Sequence, residues 1–489
     1  MAKSKGDNIA SGLFWTFGER IAAQLMTTIV TMILARLLAP SYYGIISIVT
    51  VFIDLCNIFV TSGLGIAVVR KPDADNLDFN TAFVLSFGLS VVLYGILFVC
   101  APLISRFYSI DTLTPVMRVM GLRLLLAALN TIQRASIQRD MSFRRLFVGS
   151  LFGTILSGIV GVCAAWYGLG VWALVIQNLT NVTVNTVVLF FIGIWRPKLQ
   201  YSNKRVRYIL SFGSKVLAAD LIATLERNIR SLIIGKVFGS ADLAFYDHGS
   251  KYPALLVDNV NSSINSVMLP AYSKVQDDKE NLLRMLRQSI CMGMFLLGPM
   301  LIGFMAVTDN FVLVVLTDKW LPCVPFLRMF CLAYLTRPLE TCCHKMLLAI
   351  GHEEVPLRVM FVVNVIAIVS VLIAVFAFQS VILIAAGNLL VTLVSLISYM
   401  SAANRYAGYR FRQQLQDILP SLGISALMGY AAYLTGRLLY DPLQSLGLQI
   451  VVGIVIYMLL SFVFNRKAWT TLWKLVQKGR HRFREGASR

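Results

Sequence analysis

Apolar stretches follow one another along almost the whole chain, separated by short polar joints. Fourteen are predicted, at roughly 11–37, 43–63, 81–104, 115–133, 146–167, 171–194, 208–238, 243–268, 285–307, 325–348, 356–378, 381–403, 418–439 and 446–464. Most approach the roughly 20 residues that an α-helix needs to cross a bilayer. Within each stretch the apolar residues are continuous, whereas membrane β-strands alternate in segments of about ten residues. The pattern therefore predicts an all-α polytopic membrane protein. The fourth, seventh, eighth and tenth stretches carry enough polar residues that hydropathy alone passes over them.

Composition agrees: 57% of the 489 residues are hydrophobic and only 14% charged, and the mean hydropathy is +0.73. Soluble domains run nearer one-half apolar and one-quarter charged. The net charge of +20 does not call for nucleic acid. Lys and Arg gather in the cytoplasmic loops of membrane proteins and set their orientation. With the N-terminus inside, the tails and the loops after even-numbered spans hold most of the 44 basic residues, and the opposite loops hold only Arg36, Arg106, Lys236, Lys319 and Arg437. Both termini are thus expected to be cytoplasmic. The stretch MAKSKGDNIASG precedes no short apolar core with a cleavage site, so an uncleaved first helix is expected. The eight cysteines form no CxxC pair and the four histidines no paired ligand motif, so neither a metal nor a catalytic residue is expected.

An internal repeat appears at an offset of 200. RIAAQLMTTIVTMILARLLA (20–39) lies over DLIATLERNIRSLIIGKVFG (220–239), with Ala23/Ala223, Leu25/Leu225, Ile29/Ile229 and Ile33/Ile233 identical. Both helices stop and restart at the same place, APSYYG in one and SADLAF in the other. The expected organisation is two six-helix lobes, 1–200 and 201–403, followed by two further helices and a basic tail in 404–489. Transporters commonly bind substrate between such repeats.

Charges inside the apolar stretches show direction. At about 100° per residue, Asp220, Lys215, Glu226, Arg230 and Arg227 fall within an arc of about 140°, opposite a leucine-rich face. The first stretch has a matching stripe of Thr16, Arg20, Gln24, Thr27 and Thr31; the second, of Ser47, Thr50, Asp54, Asn57 and Thr61; the eighth, of Asp247, Lys251, Asp258, Ser262 and Asn265. The fourth adds Arg123 and Asn130. A charge at mid-bilayer costs about 2.5 kcal/mol or more, so these groups are expected to face protein or a hydrated cavity. Arg20, Arg123, Lys215, Arg227, Arg230 and Lys251 give that cavity a basic bias. Guanidinium forks match phosphate oxygens, so an anionic head group, a phosphate or diphosphate, is the expected ligand. Gln24, Asn57 and Asn265 are expected to line the cavity.

The residues also resemble a known family. GLFWTFGERIAAQLMTTIVTMILARLLAPSYYGI, LIIGKVFGSADLAFYDHGSKYP, MLPAYSKVQDDKENLLRML, DKWLPCVPFLRMF and LLAIGHEE are together similar to the polysaccharide-transporter (Wzx-type) branch of the multidrug/oligosaccharidyl-lipid/polysaccharide flippase superfamily. Within it, the resemblance is to flippases of colanic-acid-like and other exopolysaccharide repeat units. It implies two lobes whose first, second, seventh and eighth helices line the cavity, which are the helices bearing the stripes. It implies a transporter, not an enzyme, moving an undecaprenyl-pyrophosphate-linked oligosaccharide to the periplasmic leaflet of the bacterial inner membrane by alternating access. It further implies handover to polysaccharide polymerase and chain-length machinery, and no cofactor beyond proton or sodium coupling. For that coupling Asp54, Asp220, Glu226 and Asp258 are the available carboxylates. A multidrug exporter of the same superfamily and a membrane polysaccharide polymerase or ligase are the alternatives.

Overall fold

A computed structural model describes residues 24, 26–61, 68, 71, 75–139, 143–193, 195–464 and 469, with the side chains of 143, 208–216, 219, 263 and 265–267 outside that description. The described residues are α-helical with short joints and no strand. The helices are α1 (Met26–Leu37), α2 (Pro40–Thr61), α3 (Asn76–Tyr108), α4 (Leu113–Met120), α5 (Leu122–Arg139), α6 (Phe143–Trp166), α7 (Val171–Ile192) and α8 (Asn203–Val237). There follow α9 (Ser240–Ser273), α10 (Lys279–Phe311), α11 (Val324–Tyr334), α12 (Arg337–Ala349), α13 (Glu354–Phe376), α14 (Val381–Ala407), α15 (Phe411–Thr435) and α16 (Pro442–Phe464). Ten segments among the described residues are long and apolar enough to cross a membrane. α8, α9 and the α11–α12 pair fall outside that set, as expected of the polar seventh, eighth and tenth stretches, whereas the fourth, expected to be passed over with them, lies within it as Leu113–Arg139.

Two boundaries differ from expectation. The fourth stretch is two helices, α4 and α5, and α5 runs on to Arg139. Arg134, read from sequence as a loop residue, therefore lies inside a helix. The tenth stretch is also divided: α11 ends at Tyr334 and α12 starts at Arg337, with Pro338 in its first turn, where the missing N–H costs nothing.

The chain divides into two compact units, Met1–Ala244 and Phe245–Arg489. In the first, α6 and α7 form the closest helix pair. Glycines permit that approach: a Cβ on Gly161 would meet Gln177 Cβ at 2.8 Å, and one on Gly153 would meet the Asn181 carbonyl at 3.0 Å. The same contact brings one face of α7, bearing Asn181 and Asn185, to a fixed depth. α2 packs on α8, α5 and α3.

The N-terminus of α3 is a polar anchor. Asp75 and Asp78 cap each other's backbone in a reciprocal capping box. Lys71 donates to Asp78 at 2.7 and 2.9 Å, and Arg205 of α8 pairs with Asp75, one nitrogen at 2.8 Å, and with Asp78 at 2.9 Å. The link from α7 to α8 is tied down here as well. Asn80 Nδ2 donates to Gln200 Oε1 at 3.0 Å and Lys198 N–H donates to Asn80 Oδ1 at 3.1 Å, while Trp195 packs on Phe79 and Phe83. The hydrogen bonds from Arg205 hold Asp75 below the usual carboxylate range. A depressed carboxylate stabilises the fold above its unfolded value and loses that contribution only as pH falls through the folded one, so the anchor is complete at neutral pH.

In the second unit, α15 and α16 are fastened to α10 at both ends. At one end Arg287 donates to Asp417 at 2.6 and 2.9 Å, and Tyr409 Oη donates to the same carboxylate at 2.7 Å. At the other, Asn310 Nδ2 donates to Ser445 Oγ and Gln449 Oε1, both at 2.9 Å. Between them Tyr457 Oη donates to the Phe295 carbonyl at 2.7 Å. Removing one partner of a mostly buried, multiply bonded carboxylate leaves the others unsatisfied. Asp417→Ala is expected to cost about 2 kcal/mol, less than a fully buried pair because Arg287 is partly exposed. In a unit of this size that is a fall of about 5 °C in the thermal midpoint, to be read by tryptophan fluorescence in detergent, with Asp417→Asn falling less. On the outside of both units lie exposed apolar side chains such as Val99, Phe191, Phe376 and Leu459, the surface that acyl chains cover in a bilayer.

Candidate functional site

In the first unit, charged and polar side chains converge from four helices. Asp54 lies on the second half of α2, half-buried, and the charges acting on it are Arg123 of α5 and Arg227 of α8. Two expected cations thus lie within electrostatic reach of an expected carboxylate, and no ion pair joins Asp54 to either among the described residues. One turn beyond Asp54, Asn57 leads into a cavity of about 430 Å³ between α2, α5 and α7. Its polar lining is Asn57, Thr61, Arg123, Asn130, Thr131, Arg134, Gln138, Asn181 and Asn185. Asn130 Nδ2 donates to Thr186 Oγ1 at 3.1 Å, and Arg134 Nη2 donates to Asn185 Oδ1 at 3.4 Å.

The other expected residues are distributed as follows. Glu226 and Arg227 are exposed on α8, and Asp220 and Arg230 are half-buried on the same helix. Arg227 Nε donates to the Ala223 carbonyl at 3.4 Å. The two residues Glu226 and Arg230 are spaced for an i, i+4 pair, but no ion pair joins them among the described residues. Gln24 is half-buried, and its carbonyl accepts from Thr28 Oγ1 at 2.8 Å. Lys215 lies on α8 and Asn265 on α9, with side chains outside the described set, and Arg20 is outside the described residues altogether.

The second unit carries a counterpart. Lys251 and Asp258 are exposed on α9; Asp247 acts on the former and Arg337, at the start of α12, on the latter. An offset of 204 superposes Asp54 and Asn57 on Asp258 and Asn261. Both Asn57 Oδ1 and Asn261 Oδ1 are buried with no hydrogen-bond partner among the described residues. Each unit thus repeats an Asp, an Asn one turn on with an unused acceptor, and an Arg from a helix later in its own unit.

Arg134, Gln138, Asn181 and Asn185 belong to the cavity and were not expected there. Their signal exists in the sequence. On α5, Arg123, Ala127, Asn130, Arg134 and Gln138 step by 4, 3, 4 and 4; on α7, Asn178, Asn181 and Asn185 step by 3 and 4. Ending the fourth stretch at 133 removed half of the first stripe, and the second is diluted by apolar neighbours.

The family model described as "Polysaccharide biosynthesis protein" matches residues 33–325, more than half of the chain. The chain belongs to this family. Among curated relatives it is 23% identical over 429 residues to the lipopolysaccharide biosynthesis protein WzxC of Escherichia coli (strain K12), covering 86% of this chain and 87% of that one. It is 23% identical over 352 residues to the teichuronic acid biosynthesis protein TuaB of Bacillus subtilis (strain 168), covering 71% and 72%. Among solved structures, the lipid II flippase MurJ in an inward closed conformation superposes with a TM-score of 0.74 at 14% identity, covering 93% of this chain and 99% of that one. The all-α polytopic fold is therefore shared with a flippase, and the membership with polysaccharide biosynthesis proteins.

Proposed function

We infer that this protein is a flippase for lipid-linked oligosaccharides, moving undecaprenyl-pyrophosphate-linked polysaccharide repeat units from the cytoplasmic to the periplasmic leaflet of the bacterial inner membrane by alternating access. The observation that carries this reading is a polar cavity lined by Arg123, Arg134 and several amides, with Asp54 one turn from its edge, in a chain of a polysaccharide biosynthesis family. Fixed guanidinium groups in a low-dielectric wall suit a diphosphate, and an amide-lined cavity suits sugar hydroxyls, since each amide both donates and accepts. The polyprenyl chain remains in lipid. Arg227 and Arg230, with Arg20, Arg123, Lys215 and Lys251, supply the positive surface for the head group. Both termini are cytoplasmic in this reading, the product passes to polymerase and chain-length proteins, and the chain itself performs no covalent chemistry.

Asp54 and Asp258 are the coupling groups in this reading. Each lies within electrostatic reach of an arginine of its own unit, so in this reading a proton or sodium ion bound there weakens the carboxylate's pull on that arginine and favours the substrate anion. Purified protein in liposomes is expected to expose a fluorescent polyprenyl-diphosphate oligosaccharide to a membrane-impermeant quencher, at a rate raised by a proton or sodium gradient. Asp54→Asn is expected to remove at least about tenfold of that gradient-driven rise, corresponding to about 1.4 kcal/mol of lost coupling. Export of cationic drugs with no lipid movement would make the protein a multidrug transporter, and lengthening of the oligosaccharide would make it a polymerase.

A further inference from the structure

In the second unit α10 packs against both α11 and α15, and a cavity of about 520 Å³ opens between the three. That is within the range of about 300–1,000 Å³ typical of ligand pockets. Its walls face outwards: Leu332 of α11 is 43% exposed and Tyr430 of α15 64%. Leu427 and Leu434, one turn to either side of Tyr430, are exposed as well, so this face of α15 is one that lipid covers in a bilayer. The lining is graded. Ile302 and Ala306 on α10, Leu332 on α11 and Ala426 on α15 are apolar. Each helix carries its polar residue near one end: Asp309 two residues before the end of α10, Arg328 four after the start of α11 and Tyr433 two before the end of α15. Arg328 Nη2 donates to Asp309 Oδ2, and the pair stays partly open, with side chains 40% and 48% exposed. Arg437, just past α15, donates to Tyr433 Oη and lies 4.7 Å from its ring centroid, which holds that ring at the mouth.

Depth and charge define the occupant. Ala426 lies nine residues before Thr435, about 13 Å along the axis, and one leaflet of a roughly 30 Å hydrocarbon core is about 15 Å deep. The cavity thus spans one leaflet, polar where the helices end and apolar towards mid-bilayer, which is the profile of a phospholipid. Tyrosines at the level of Tyr430 and Tyr433 suit the bilayer interface. The ion pair selects the head group. Charges on lipid-facing helices are costly unless their hydrogen-bonding capacity is met. Among the described residues the side-chain bond between them joins a single nitrogen to a single oxygen, which leaves other Arg328 nitrogens and Asp309 Oδ1 for a ligand. A phosphate meets the first, and a primary ammonium, with three N–H donors, meets the second. A trimethylated ammonium brings no N–H, a glycerol head brings no positive charge, and a diphosphate sets more negative charge against Asp309 with no cation to offset it.

We propose that the cavity between α10, α11 and α15 is a binding site for phosphatidylethanolamine, with its phosphate on Arg328, its ammonium on Asp309 and one acyl chain along Ile302, Ala306 and Ala426. The site stands on lipid-facing helices alone and does not depend on the flippase reading. Purified full-length protein, stripped of lipid in detergent, is titrated with dioleoyl phosphatidylethanolamine, dioleoyl phosphatidylcholine and dioleoyl phosphatidylglycerol, and native mass spectrometry reads the dissociation constant of the first bound lipid. Wild type is expected to bind phosphatidylethanolamine about tenfold or more tighter than phosphatidylcholine, the effect of one hydrogen bond between ionised groups, and tighter than phosphatidylglycerol. Asp309→Asn is expected to bring phosphatidylethanolamine and phosphatidylcholine within about twofold of each other, and Arg328→Gln to weaken all three lipids. Ala426→Trp fills the deep end from an exposed position and leaves both charges in place. It is expected to weaken all three as well, and it decides the question should either charge variant fail to yield monodisperse protein. Equal affinity of wild type for phosphatidylethanolamine and phosphatidylcholine overturns the proposal and leaves annular lipid only. Tighter binding of phosphatidylglycerol, an ethanolamine preference that survives in Asp309→Asn, or wild-type affinities in Ala426→Trp overturn it equally.

Discussion

Replacing Arg227 and Arg230 together by alanine is expected to lower lipid-linked oligosaccharide movement at least a hundredfold while the protein folds normally. The argument begins with what these side chains do not do. Arg227 is exposed and Arg230 half-buried, and the protein contact of Arg227 is a long hydrogen bond to the carbonyl one turn back. Truncating exposed side chains usually changes stability by no more than about 0.5 kcal/mol. A large functional loss is then a loss of ligand contact. Charge-assisted hydrogen bonds contribute about 1.5–3 kcal/mol each, so two amount to about 3–6 kcal/mol, or a factor of about 10² to 10⁴. The check is translocation in liposomes alongside the thermal midpoint in detergent. The double lysine variant is expected to recover part of the activity, because it keeps charge and loses the planar fork. Unchanged translocation in the double alanine variant removes both residues from the head-group site.

Gly44→Ala is expected to have the largest effect on folding. Gly44 lies in the second turn of α2, and a Cβ there would stand 1.7 Å from the Ser240 carbonyl oxygen and 2.4 Å from its carbon. The obstacle is backbone at the first residue of α9, so no side-chain rotation relieves it, and α2 must part from the α8–α9 turn. Overpacking a core costs about 1–3 kcal/mol where neighbours can shift; against backbone the cost is at the upper end or beyond, about 3 kcal/mol or more. The yield of monodisperse protein by fluorescence-detected gel filtration is expected to fall to about a tenth or less, since each 1.4 kcal/mol is about tenfold in an equilibrium. Gly88→Ala is the control: it sits within α3 with nothing within 4 Å of the added carbon, and its yield is expected to match wild type. Equal yields for the two variants would show that α2 does not need this approach.

Much of the architecture and some of the site were legible in the chain. Continuous apolar stretches of about 20 residues have one low-energy form in a bilayer, because lipid satisfies no backbone hydrogen bonds and the helix satisfies its own. Helicity and membrane insertion therefore follow from local sequence, and so do the stripes: charges such as Asp54, Arg123 and Arg227 are too costly against lipid and must face inward. Chain breaks were less legible. The division of the tenth stretch at Leu335 and Thr336 depends on how α11 and α12 pack separately on α14 and α10, and the extension of α5 to Arg139 depends on the cover α2 and α7 give to its polar end.

What the sequence by itself determined, then, is the class of the molecule, its helix content and the set of buried polar faces, because each rests on a cost paid residue by residue. Tertiary structure alone decided the partners. Helical spacing made Glu226 and Arg230 eligible to pair, and side-chain placement left them unjoined. Nothing in the spacing brought Arg123 and Arg227 within electrostatic reach of Asp54, or closed Asn57, Arg134 and Asn185 around one cavity. Those juxtapositions come from the close approach of α7 to α6 at Gly153 and Gly161 and from the packing of α2 between α5 and α8, contacts between residues more than a hundred positions apart in some cases, which a periodicity of 3.6 residues does not encode.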